Sequence, residues 1–113
     1  MRDARNSFSK IFISVGIFYL FLVPASAGSL EDALAAADRG DDVIAVQLFH
    51  TLAEKGNARA QYFLGVMHDL GRGVPEDDVQ AANWYRKAAE QGDAEAQFML
   101  ERMNEHGHGV QPD

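Results

Sequence analysis

The chain repeats itself. Residues 53 to 77 superpose on residues 89 to 113 at an offset of 36, and 12 of the 25 aligned positions are identical. Ala60/Ala96, Leu64/Leu100, Met67/Met103, Gly71/Gly107 and Gly73/Gly109 are among the matches. The same offset carries Asp41-Asp42-Val43 onto Asp77-Asp78-Val79, and Ala45 onto Ala81. One unit therefore recurs about two and a half times. A unit this short cannot bury an apolar face by itself, so the pattern restricts the chain to an architecture of stacked neighbours.

Within each unit the spacing predicts two helices. Ala60, Leu64 and Met67 recur at i, i+4 and i+7, as do Ala81, Tyr85 and Ala88, which gives each helix a stripe to bury. No run alternates apolar and polar residues for long enough to favour a strand. Gly56-Asn57 and Gly92-Asp93 read as a left-handed helix end followed by a capping side chain. Ser29 with Asp32, and Asp77 with Gln80, have the spacing of capping boxes. Gly71-Arg72-Gly73-Val74-Pro75 breaks the chain between helices, since Pro75 cannot sit inside one. Tyr62, Val66 and Trp84 fall off the stripes, so the central helices are expected to be contacted on more than one side. Gly65, Ala81, Ala88 and Ala89 would let backbones approach, with aromatic side chains filling the gaps between them.

The first 27 residues read as an address. Arg2, Arg5 and Lys10 precede an uncharged run from Ile11 to Val23, followed by Pro24 and Ala25-Ser26-Ala27. Basic start, apolar middle and an A-x-A end are the three parts of a secretory signal peptide, with cleavage expected between Ala27 and Gly28. The apolar run falls short of the roughly 20 residues that cross a bilayer, so no stable membrane anchor is expected after cleavage. Removal leaves 86 residues with 16 acidic and 7 basic side chains, a net charge of −9. Such a field repels nucleic acid and anionic membrane surfaces, and the expected location is periplasmic or secreted.

From Ala58 to Gly92 the pattern A-x-A-x-Y-x-L-G-x-M-x-x-x-G-x-G-V-x-x-D, then A-x-x-W-Y-x-x-A-A-x-x-G, resembles the Sel-1-like repeat, a relative of the tetratricopeptide repeat. Ala60, Leu64, Gly65, Gly71, Gly73, Ala81, Trp84, Tyr85, Ala88 and Gly92 carry the resemblance. It implies an all-α solenoid of antiparallel helix pairs that serves as a platform for protein contacts. The expected divisions are a degenerate hairpin over 28–56, a full repeat over 57–92 and a half repeat over 93–113. Where the family usually has Tyr, this chain has His68 and Asn104; where it usually has Asn, this chain has Phe63 and Met99. The position of Gly65 is Glu101 in the last unit, as expected of a capping helix that faces water.

Chemistry finds little footing. The chain has no cysteine, which excludes disulfides and thiolate metal sites. After Gly28 the hydroxyl nucleophiles are Ser29, a cap, and Thr51. No two of His50, His68, His106 and His108 stand at i, i+3 or i+4; His106-Gly107-His108, an i, i+2 pair in a glycine loop, reads as helix-terminal solvent histidines, with a weak surface metal site as the alternative, and no metal and no cofactor are expected. Asp41-Asp42 and Asp77-Asp78 fit helix starts better than acid/base catalysis. Gly71-Arg72-Gly73 lacks the Lys-Ser/Thr of a phosphate loop. Trp84 and Tyr85 are expected in the core.

The reading is an exported, non-enzymatic module that binds another protein, with Phe63, His68 and Leu70 as candidate partner-binding residues. Two alternatives stand beside it. One is a cell-wall-directed hydrolase, implied by β-lactamase-like relatives that are themselves cysteine-rich. The other is an incomplete solenoid whose last helix, Asp93 to His106, docks on a second copy.

Overall fold

The computed structural model describes residues 28–108. The expected export signal and Ala27 lie outside that range, as do Gly109 and the residues after it. Five helices follow in order: α1 (Leu30–Asp38), α2 (Asp42–Glu54), α3 (Ala58–Leu70), α4 (Asp78–Glu90) and α5 (Ala94–His106). There is no strand among the described residues, and each helix packs mainly on its neighbours in sequence. This is the all-α solenoid that the repeat implied, with two hairpins and a further helix.

Local chemistry starts the helices. The Ser29 side chain takes the Asp32 N–H, while Asp32 accepts from the Ser29 backbone, completing a capping box at α1. Asn57 and Asp93 accept the N–H groups of Ala60 and Ala96 at 2.9 Å each, the same cap 36 residues apart. At α4 only half of the expected box forms. Asp77 accepts the Gln80 N–H at 3.0 Å, but its own N–H donates to the His68 carbonyl, which ties the long loop back to α3. Asp41 departs further from the capping expectation, because its carboxylate turns to Arg39 at 3.1 Å and caps nothing.

The turns repeat as well. Gly56 and Gly92 adopt φ of +94° and +93°, and the next residue's N–H reaches back to Leu52 and Ala88 at 3.1 Å in both cases. A side chain would strain this left-handed conformation, so the turn demands glycine. Across each turn a glutamine secures the junction: Gln61 donates to the Ala53 carbonyl and Gln97 to the Ala89 carbonyl. Gln61 is buried, and its remaining acceptor takes the Gln91 amide at 2.8 Å, so its polarity is satisfied.

The core is mostly alanine, with Phe49, Leu64, Met67, Tyr85 and Met103 as the large members. It falls into two clusters. One joins α1, α2 and α3 through Ala33, Ala45, Phe49, Leu64 and Met67; the other joins α4 and α5 through Ala81, Tyr85, Ala96 and Met103. Helix α3 serves both, because Tyr62 and Val66 pack on the second cluster while Leu64 and Met67 lie in the first. Gly65 sits against the Tyr85 ring, and a Cβ built there would stand 2.7 Å from two ring carbons. The small residue thus sets the spacing of α3 and α4, while Glu101 at the matching place in α5 is exposed.

Candidate functional site

Helices α3 and α5 both pack on α4, and ion pairs link them near their N-termini. At the start of α3, the Arg59 guanidinium bridges to Asp93 at 3.0 Å and to Glu95 at 3.4 Å while lying over the Tyr62 and Phe63 rings. That end is closed by ion pairs and cation–π contacts. Toward the helix C-termini lies a groove of about 380 Å³, lined by Leu70 and Asp69 on one side and by Met99, Arg102 and His106 on the other. Tyr85 forms part of its support. Its hydroxyl donates to Asp69 at 3.3 Å, and burial holds its pKa far above the usual phenol value, with the Asp69 charge acting in the same direction.

The three candidate partner-binding residues are not brought together. Leu70 is 60% exposed, unusually so for a leucine on a packed helix, and it lines the groove. Phe63 is partly buried and stacks on Phe49 with centroids 5.3 Å apart, so its ring joins α3 to α2. His68 turns inward. Its Nδ1 is buried without a hydrogen-bond partner, and burial lowers its pKa, with His50 pushing the same way and Asp77 opposing.

Of the aromatic pair, Tyr85 is fully buried, but Trp84 is not. The Lys87 ammonium lies over its ring at 4.4 Å and the His50 ring packs on it at a steep angle with centroids 5.8 Å apart, and it borders a shallow surface depression with Asn83 and Arg86. Trp84 thus packs against the edge of the cluster shared by α1, α2 and α3 without being fully enclosed, whereas Tyr85 lies wholly inside the core.

The remaining candidates find structural duties. Ser29 caps α1, and the Thr51 hydroxyl donates to the Gln47 carbonyl within α2. Asp42 accepts both Arg72 contacts, at 2.7 and 3.3 Å, and Arg72 also reaches the Ala37 carbonyl. Arg72 thereby ties the loop after α3 to the first hairpin, a role its place between two glycines did not suggest. Among the described residues no group of three or more His, Asp or Glu is placed to hold a metal ion. No helix among them is long and apolar enough to cross a membrane.

The Sel1 repeat family model matches residues 34–57, 58–93 and 94–113, three consecutive stretches. A Sel1 repeat protein from Oxalobacter formigenes is 29% identical and superposes with a TM-score of 0.69 over 85% of this chain and 43% of that one. A protective antigen of uropathogenic Escherichia coli displaying an SLR fold is 36% identical, with a TM-score of 0.70 over 80% of this chain and 20% of the antigen. The chain thus spans less than half the length of either structure. No curated protein matches it. The repeated caps, the glycine turns, the helix pairs and the family match lead to one assignment: the chain belongs to the Sel1 repeat family.

Proposed function

We propose that the protein is an exported protein–protein interaction module that performs no covalent chemistry and docks its partner along the open end of the α3/α5 groove. Sel1 repeats typically act as non-catalytic interaction scaffolds. The observation that carries the placement is Leu70, an apolar side chain 60% exposed at the lip of a groove whose opposite end is sealed by Arg59. Full burial of such a side chain is worth about 1.5–3 kcal/mol. The net charge of −9 expected after export steers encounter toward a basic partner.

Affinity capture with the purified protein from its native envelope tests this reading. A discrete partner should be retained by the wild type and lost with Leu70→Glu, whose circular dichroism should match the wild type. Equal capture by the folded variant would remove Leu70 from the interface. Phe63→Ala is unsuited to the purpose, because it would loosen the Phe49 stack and test packing.

A further inference from the structure

Helix α5 ends in a way that residue spacing conceals. His106 and His108 stand at i, i+2, which on a continuing helix would point them apart. The helix instead stops at His106, and Gly107 adopts φ of +70°. The His108 N–H then bonds the Met103 carbonyl at 2.8 Å, and the two imidazoles come to lie with centroids 6.0 Å apart. Met99, Met103 and His106 follow at i, i+4 and i+7 on one stripe, and all three line the same groove as His108.

Each imidazole is held from behind. His106 Nδ1 lies 2.7 Å from the Arg102 carbonyl. A carbonyl can only accept, so the proton is on Nδ1 and the Nε2 lone pair is free. His108 Nδ1 lies 3.8 Å from an Asp78 carboxylate oxygen, which favours a proton on the same nitrogen. A carbonyl or carboxylate behind one ring nitrogen is the support that metal-ligating histidines use, fixing ring orientation and raising the basicity of the other nitrogen. Asp69 lines the same groove and Asp78 stands behind His108, yet among the described residues no group of three or more His, Asp or Glu is placed to hold a metal ion, which leaves a borderline cation such as Zn²⁺ short of donors. The chain has no cysteine, so its soft donors are thioethers, and thioether with imidazole is a donor set that suits monovalent copper. Arg102 also lines the groove, but its guanidinium lies over the Phe98 ring at 5.9 Å, and a monovalent ion meets less repulsion from it than a divalent one.

We propose that Met99, Met103, His106 and His108 form a Cu(I) site at the C-terminal end of α5. The site needs no partner protein, so its test is separate from that of the docking reading. Anaerobic titration of the purified protein against a chromophoric Cu(I) chelator, with Zn²⁺ in parallel, measures it. One Cu(I) per chain should be withdrawn from the chelator, with no stoichiometric Zn²⁺ uptake. Met99→Leu, which conserves packing, and His108→Asn should each weaken Cu(I) binding at least tenfold. Met103 belongs to the core, so its part is read by X-ray absorption at the copper edge, where sulfur and nitrogen should both appear in the first shell. Failure to withdraw Cu(I), unchanged affinity in both variants, or a first shell without sulfur would overturn the proposal.

Discussion

Gly65 and Glu101 occupy the same repeat position and meet opposite surroundings. A helix-interior glycine costs up to about 1 kcal/mol relative to alanine, so Gly65→Ala would stabilise α3 if nothing touched it. The new Cβ would instead press on the Tyr85 ring, 2.7 Å away, and approach the Ala81 carbonyl at 3.3 Å. Overpacking of this kind costs about 1–3 kcal/mol. Gly65→Ala should therefore lower stability in urea unfolding, whereas Glu101→Ala, on an exposed site, should shift it by less than about 0.5 kcal/mol.

His68 carries a second residue-scale consequence. Its pKa lies below the ordinary value of 6.5, chiefly through burial. The unfolded chain therefore takes up a proton at this residue before the folded chain does. The stability associated with neutral His68 is complete above about pH 6.5 and is lost as pH falls below it. His68→Phe should flatten that part of the pH dependence, read as the difference in urea midpoint between about pH 7.5 and about pH 5.5. Departure from the family residue marks this position in the sequence. Its inward orientation does not show there, because it depends on how α2, α3 and the loop to α4 close around one ring.

At the scale of the element, the caps and turns were legible because each is a local contract between residues three to six apart. Asn57, Asp93, Gly56 and Gly92 behave as their spacing predicts. Asp41 was not legible because its near neighbour Arg39 takes the carboxylate; the reciprocal half of the Asp77 cap and the approach of His108 to His106 were not legible because a bond to α3 decides the one and the direction of a turn the other. Asp93 shows the two levels together. Its buried carboxylate caps α5 and also accepts from Arg59 of α3 at 3.0 Å, while Asn57 only caps. Loss of a cap costs about 1 kcal/mol, and a hydrogen bond to a charged group adds about 1.5–3 kcal/mol. Asp93→Ala should thus destabilise more than Asn57→Ala in the same unfolding assay, and Arg59→Ala should reduce the difference between them. Equal losses would mean that the α3–α5 bridge contributes nothing.

For the molecule as a whole, the two apolar clusters share α3, and the groove lies between the C-terminal ends of α3 and α5, with Tyr85 bonded to Asp69 at its wall. The 36-residue period foretold the stacking of helices but not the groove between the C-terminal ends of α3 and α5, where Leu70 stands exposed. Val43 offers a direct control: it is also 60% exposed, yet it stands on α2 and away from the groove. The central claim is that partners dock at the groove. Photo-crosslinking in the native cell, with the reactive residue placed at Leu70 or at Val43, tests it most directly. A discrete crosslinked partner from position 70 and none from position 43 is the predicted result; equal crosslinking from both, or crosslinking from position 43 alone, would contradict the account.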